Sequence, residues 1–494
     1  MLSKNLRFFA LILALSSSAL ALQAQSISVY RTNSAMTERF AEQPGFTFNT
    51  TAPSSNTALI IVNDKQRYQT IDGFGASLTD AAGWLFANKL TPAQLDQAFN
   101  SLFSRDGIAL SFLRQPIGSS DLAYTFYTFD DLCEQSKTAC TTPAGVTDPE
   151  LKHFSLAHDE AYIIPQLKKA LAINPSLHIM LSPWSPPGWM KTNGSVLGTK
   201  PGTKEPAHLK EEFYPAFSKY LVRTVLGYQS AGVPIYALSL QNEPLYAPEN
   251  YSGMNMEAED QAQIVGQYLE PALEDAGIGK AQGLKILAYD HNWDRPDYPK
   301  TFYINQRAAA AASGVAWHHY EGKPEAMTTF HDKHPNIDQW VTESSGGTWQ
   351  SGNVFAEEAT ELINVMRNWS RSYILWALAT DQNNGPIVGG CDKCRGIVTV
   401  DTSDPAHVVV RPELDYYVLG HASKFLFPDA VRIASNEPAG TKLRDVAFRN
   451  PDGTIVLYTL NPGTEPATVA IVFHSKSAIT TIPASTVATF IWKP

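Results

Sequence analysis

Eight short apolar runs separated by helix-like segments constrain this 494-residue chain more than any other feature. They are TIDGFGA from Thr70, LSFLRQP from Leu110, LHIMLSP from Leu177, IYALSLQ from Ile235, LKILAYD from Leu284, GVAWHHY from Gly314, DQWVTES from Asp338 and SYILWAL from Ser372. Each is mostly apolar rather than alternating, which is the pattern of parallel strands covered on both faces. Between them lie segments such as EEFYPAFSKYLVRTVLGYQSAG and MEAEDQAQIVGQYLEPALEDAG, both closing on Gly as helices often do. Eight strands alternating with helices predict an α/β fold, a (β/α)8 barrel over residues 66–425.

The chain changes character from about Ala430. LRDVAFRNPDGTIVLYTLNPG and ASTVATFIWKP alternate apolar and polar residues around turn signals such as Asn450-Pro451-Asp452-Gly453. An antiparallel β-sandwich domain is expected over 430–494. Residues 27–62 are expected to add strands to it, so that it is built from both chain ends. Ahead of these, Lys4 and Arg7 precede an apolar run broken by Ser16-Ser17-Ser18, and Ala19-Leu20-Ala21 has the small-x-small pattern of a cleavage site. Residues 1–21 therefore read as a signal peptide, and the mature protein as secreted, periplasmic or extracellular, with no integral membrane association.

A net charge of −10 without Lys/Arg clusters argues against nucleic acid or an anionic membrane as partner. In an exported chain the four cysteines favour disulfides over a four-Cys zinc site. Of three possible pairings, Cys133–Cys140 with Cys391–Cys394 is expected.

Polar groups gather where the runs end. The second leads into RQPIGSSD, the third into SPWSPPGWMKTNG and the fourth into QNEPLYAPE. The fifth ends in Asp290-His291, the sixth in His318-His319-Tyr320 and the seventh in Glu343. These are C-terminal strand ends, the face on which barrel enzymes build their sites. Glu243 and Glu343 stand three βα units apart, on strands expected to face each other across the mouth. Two carboxyls about 5–5.5 Å apart across a glycosidic bond make a retaining glycosidase. Asn242, beside Glu243, is placed to bond a sugar 2-OH, and the Gly346-Gly347 pair is expected to give the loop room around the sugar. Asp290, His291, His318 and His319 match no zinc spacing. No metal or cofactor is expected, and His318 is expected as a satisfied buried imidazole. The glycines of GFGA lack the register of a dinucleotide loop, and no G-x-S-x-G is present.

GFGASLTDAA, LRQPIGSSDLAYTFYTFDD, LSPWSPPGWMKTNG, LSLQNEP, ESSGG and YYVLGHASKFLFP, in that order, resemble glycoside hydrolase family 30, the glucosylceramidase-like and endo-β-1,6-glucanase-like retaining glycosidases. The resemblance implies that Glu243 is the acid/base and Glu343 the nucleophile. It further implies that Asn242 contacts the sugar, that Asp121, Trp184 and Trp376 hold a terminal glucose, and that Tyr320 touches the nucleophile. Trp189 is divided between sugar platform and core. Ala377 stands where the family often has Asn, and LYAPENYSGMNM and GCDKCRG form rim loops that bear on the aglycone. The expected substrate is a β-glucoside or β-glucan. The rivals are β-xylosidase or β-galactanase specificity on the same mechanism, or an inactive secreted sugar-binding protein.

Overall fold

All eight apolar runs become strands of one closed parallel barrel in a computed structural model that describes residues 25–55, 57–200 and 202–494. The expected signal peptide at 1–21 lies outside the described residues. The barrel strands are β1 (Gly73–Ser77), β2 (Phe112–Ile117), β3 (His178–Pro183), β4 (Ala237–Ser239), β5 (Lys285–Asn292), β6 (Gly314–His318), β7 (Asp338–Glu343) and β8 (Ser370–Leu375). Neighbours pair in parallel all the way round, and β8 closes on β1 with Ser372 opposite Gly73. Helices start where the sequence caps them. Thr91 and Gln94 form a reciprocal capping box ahead of Pro92–Phe103, and Thr79 caps Asp80–Lys89.

The barrel interior is layered, and this sets the site. Phe112, Met180, Ala237, Leu287, Ala316, Trp340 and Ile374, one from each of β2 to β8, fill a fully buried apolar layer. Side chains two residues further along a strand point the same way. In β2, β3, β4, β6 and β7 those positions are Arg114, Ser182, Ser239, His318 and Thr342, all buried. An apolar floor thus carries a polar layer directly beneath the mouth.

The second domain is a nine-stranded sheet built from both chain ends. Ser26–Asn33 pairs with Thr486–Trp492, and Ala58–Thr70 lies between Ala467–Phe473 and Val431–Ser435. Its core includes Ile27, Val29, Ile60, Val62, Ile471, Phe473 and Phe490. It is not wholly antiparallel, because Ala467–Phe473 runs parallel to Ala58–Thr70. A small third sheet of Ala377–Asp381, Gly396–Asp401 and Val409–Pro412 has no counterpart among the elements expected from the sequence. It is inserted between β8 and the helix Leu414–Ser423 and carries the Cys391–Cys394 turn.

His421 fastens the barrel to both chain ends. Its ring nitrogens lie 2.8 Å from Thr32 Oγ1 and 2.9 Å from Thr489 Oγ1. Burial lowers it to about 3, so it is neutral when folded. An unfolded histidine titrates near 6.5, so between about 6.5 and 3 only the unfolded chain binds this proton, and stability falls as pH falls. At pH 5 the loss is about 2 kcal/mol. Urea unfolding at pH 7 and pH 5 should show a smaller loss in His421→Gln than in the wild type. An equal loss in both would remove His421 from the acid response.

Candidate active site

The polar layer is organised around one buried guanidinium. Arg114 Nη1 donates to Glu343 Oε2 at 2.5 Å, while Nη2 reaches Asn242 Oδ1 at 2.7 Å and Asp290 Oδ2 at 2.8 Å. Its plane lies 4.7 Å from the Trp184 ring. Asp290 also accepts from Ser182, Ser239 and Thr342, at 2.8, 2.6 and 2.6 Å, and stands 3.0 Å from His318 Nε2. Although burial opposes its charge, Arg114 and His318 hold Asp290 well below the usual carboxylate range.

Strand irregularities place these groups. Strict alternation after Leu287 would turn Tyr289 inward. Instead the β5–β6 register shifts between Tyr289 and His291, and Tyr289 and Asp290 adopt φ of 75° and 74°. Asp290 turns into the barrel while Tyr289 packs outside against Tyr298 and Trp317. A second shift in β7 brings Glu343 opposite His318. Glu243 itself has φ 45°, with its N–H bonded to Asp290 O at 3.0 Å. A non-glycine residue in that region is strained, and such strain concentrates at functional sites.

Glu243 and Glu343 face each other, and one oxygen of each, with a ring nitrogen of His318, falls within 4.8 Å of the others. Tyr320 OH donates to Glu343 Oε1 at 2.8 Å. Glu243 lies 3.2 Å from His318 Nδ1 and 3.8 Å from His291 Nε2. Burial drives Glu343 up, His318 and Arg114 pull it down, and the charge of Glu243 leaves it raised. Burial drives Glu243 up as well, but the His318 hydrogen bond and the charges of His291, His318 and Arg114 outweigh it and leave it lowered. Burial disfavours the His318 cation, yet Glu343's charge and the bonds to Asp290 and Glu243 raise it to about 9. The three groups titrate as one system.

The pocket above them encloses about 520 Å³ and is lined by Asp121, Trp184, Asn242, Tyr320 and Trp376 besides the two glutamates. Trp184 and Trp376 pack with ring centroids 4.8 Å apart, and Trp376 Nε1 donates to Asp121 Oδ2 at 3.2 Å. Burial, with the charges of Glu343 and Glu243, pushes Asp121 well above the usual range. Leu245, Tyr246 and Tyr251 of the expected rim loop LYAPENYSGMNM line it too, as do Asn292, Asp294, Arg295, Glu321 and Trp349, which were not singled out from the sequence. Nor was Arg114, whose one signal is a charge inside the apolar run LSFLRQP.

One divided reading is decided and one expectation is corrected. Trp189 is core, because its Nε1 donates to Asp130 and it is absent from the pocket wall. Gly346 and Gly347 serve packing rather than space for a sugar. A Cβ on Gly346 would lie 2.1 Å from Arg395, and one on Gly347 2.1 Å from the Trp349 ring. Of the histidines weighed as metal ligands, His318 is hydrogen-bonded as above and His319 accepts the Ser345 N–H. Both expected disulfides are present, Cys133–Cys140 and Cys391–Cys394.

The Glycosyl hydrolase family 30 TIM-barrel domain matches residues 71–426, and the family's beta sandwich domain matches 429–490. The chain belongs to glycoside hydrolase family 30. This family 30 member is a retaining β-glycosidase. It is 34% identical over 417 residues to an endo-1,6-β-D-glucanase of Neurospora crassa, with 81% of each chain covered. An endo-1,6-β-D-glucanase of Trichoderma harzianum is 34% identical over 403 residues, covering 78% of this chain and 76% of that one. The lysosomal acid glucosylceramidase of Mus musculus is 25% identical, with 88% and 83% covered. A solved endo-β1,6-glucanase superposes with a TM-score of 0.81 at 28% identity, covering 95% of this chain and 100% of that one.

Replacing Arg114 by Met should remove the cation that Asp290 and Glu343 share and leave His318 alone to balance both buried carboxylates. Breaking one partner of a buried pair costs about 3–5 kcal/mol. Urea unfolding should show a loss of that size at pH 7. A loss below about 1 kcal/mol, the range of an exposed pair, would show that solvent reaches these carboxylates.

Proposed function

We propose that the chain hydrolyses β-glucosidic bonds of β-1,6-linked glucan, with Glu343 as nucleophile and Glu243 as acid/base. The carrying observation is the close approach of the two carboxylates, within 4.8 Å through one oxygen each. That spacing suits direct attack, whereas an inverting pair stands roughly 6.5–9.5 Å apart to admit a water. Glu343 attacks the anomeric carbon while Glu243 protonates the departing oxygen. A glycosyl ester forms on Glu343, and Glu243 then takes a proton from the water that cleaves it.

Each neighbour has a part. Arg114 and Tyr320 fix the two oxygens of Glu343 and favour its ionised form. Because Arg114 occupies Asn242 Oδ1, the amide nitrogen of Asn242 is left to donate toward the sugar. Asp121 presents a carboxyl group to the sugar hydroxyls, and Trp184 with Trp376 offers an aromatic wall. The endo-1,6-β-D-glucanases, at 34% identity, favour a β-1,6-glucan over glucosylceramide as substrate. We further infer export, with residues 1–21 removed, since such a polymer is met outside the cell. An inactive sugar-binding barrel would have no use for two carboxylates held this close.

Incubation with β-1,6-glucan, gentiobiose and glucosylceramide should release short β-1,6-oligosaccharides or glucose from the glucan at the highest rate. Faster turnover of β-xylosides or β-galactosides would overturn the sugar assignment. Asp121→Ala should lower kcat as well as raise KM, because hydrogen bonds that strengthen in the transition state act on both.

The roles of the two glutamates separate experimentally. Glu343→Gln should abolish turnover with the fold intact. Glu243→Ala should still be loaded by a dinitrophenyl β-glucoside, whose leaving group needs no proton, giving a burst before slow deglycosylation. Azide should then accelerate turnover and yield the β-glucosyl azide. An α-azide from Glu243→Ala, or a burst surviving in Glu343→Gln, would reverse the roles or refute double displacement.

A further inference from the structure

We propose that the Cys391–Cys394 disulfide is a positioning element of the sugar pocket, and that reducing it weakens substrate binding. The turn that carries it lies between two strands of the third sheet and touches both sides of the pocket. Towards β2 it rests on Asp121. A Cβ on Gly390 would meet the Asp121 carbonyl oxygen at 1.8 Å, so the two backbones are in direct contact. Both sulfurs and a carboxylate oxygen of Asp121 fall within 4.8 Å of one another. Cys394 packs with Trp184 and Trp376, and both cysteines line the pocket.

Towards β7 the same turn holds the loop after Glu343. Cys394 forms an antiparallel bridge with Gly347, the Thr348 N–H donates to Lys393 O at 3.0 Å, and the Arg395 N–H donates to Gly346 O at 2.9 Å. The Arg395 side chain is anchored by Asp415 at 2.5 Å and reaches Gln350 at 3.1 Å, whose Oε1 accepts the Gly347 N–H. One short covalent ring therefore spans from the Asp121 wall to the nucleophile loop. Glu343 has its own restraints in Arg114 and Tyr320, outside this ring. Loosening the ring should disturb the wall that grips the sugar more than the attacking group. The ordering then has to be completed on binding, which appears in KM rather than kcat.

A small dithiol supplies the two electrons and two protons that split the S–S bond into two thiols, and is itself oxidised to its cyclic disulfide. Cys133–Cys140 serves as internal control, since neither residue lines the pocket. Because the test needs turnover, it rests on the β-glucosidase reading above. Kinetics on an aryl β-glucoside would be measured before and after dithiothreitol, for the wild type, Cys391→Ser/Cys394→Ser and Cys133→Ser/Cys140→Ser, with thiols counted by alkylation and mass. An enzyme inactive on every β-glucoside before reduction would fail that earlier reading, not this one.

Reduced wild type and Cys391→Ser/Cys394→Ser should share a KM raised about tenfold, the scale of ordering one more side chain on binding, with kcat nearly unchanged. Cys133→Ser/Cys140→Ser should keep wild-type constants until it is reduced. Should the Cys391→Ser/Cys394→Ser protein not fold, reduction of Cys133→Ser/Cys140→Ser still isolates the pocket disulfide. By linkage, a saturating glucoside inhibitor should slow reduction of Cys391–Cys394 and not of Cys133–Cys140. Two free thiols at 391 and 394 with an unchanged KM would overturn the proposal. So would a fall in kcat at constant KM, which signals lost folded enzyme rather than a loosened pocket.

Discussion

The site is built on the ion pairs of Arg114. A guanidinium with no solvent exposure is tolerable only if its charge is matched, and here Asp290 and Glu343 match it from two sides. The planar fork suits the task, because its two terminal nitrogens can serve different strands at once. Through Asn242 and Asp290 it ties the ends of β4 and β5 to β2, and through Glu343 it ties β7. A lysine, with a single ammonium, could not span that arc in one plane. The direction of Glu343 is therefore a property of the barrel interior rather than of the loop that follows it.

That interior explains why the charge sits where it does. The apolar layer of Phe112, Met180, Leu287 and Trp340 excludes water from below, so the electrostatic interactions one layer up are strong. Alternation would have aimed a tyrosine into this layer from β5. The register shift and left-handed backbone at Tyr289 and Asp290 exchange it for a carboxylate. Strain is accepted at that point because Asp290 gains hydrogen bonds from Ser182, Ser239 and Thr342 as well as its ion pair.

The barrel was legible in the sequence because its strands are buried on both faces and so read as unbroken apolar runs. Glu243 and Glu343 stood out because carboxylates at such borders conflict with burial. Arg114 did not, since one charge within LSFLRQP carries no mark of the three strands it would bridge. The bulge at Asp290 was equally hidden, because nothing in LKILAYD distinguishes a register shift from plain alternation. Gly346 and Gly347 suggested space for a ligand, but the demand for small residues came from Arg395 and Trp349, which no local pattern could reveal. Trp189 differed from Trp184 only through its buried partner, Asp130.

Under the proposed roles, two glutamates of identical chemistry take different tasks from these surroundings. Glu343 has a cation and a phenol donating to it, and both oppose the burial and the Glu243 charge that raise it. Glu243 faces imidazoles instead, His318 at 3.2 Å and His291 at 3.8 Å, and the proton of the His318–Glu243 pair lies on His318, which its carboxylate neighbours raise to about 9. Moving that proton onto Glu243 converts a charged pair into a neutral one without altering net charge. Glu243 is the more solvent-exposed of the two, at 15% of its side chain against 7%. A sugar filling the pocket removes that water, and dehydration favours the neutral pair. As the proposed acid, Glu243 would thus be armed by the arrival of the sugar. In the proposed double displacement, esterifying Glu343 removes its negative charge, so Glu243 loses a repulsion that favours its protonated form and can serve as the base for water.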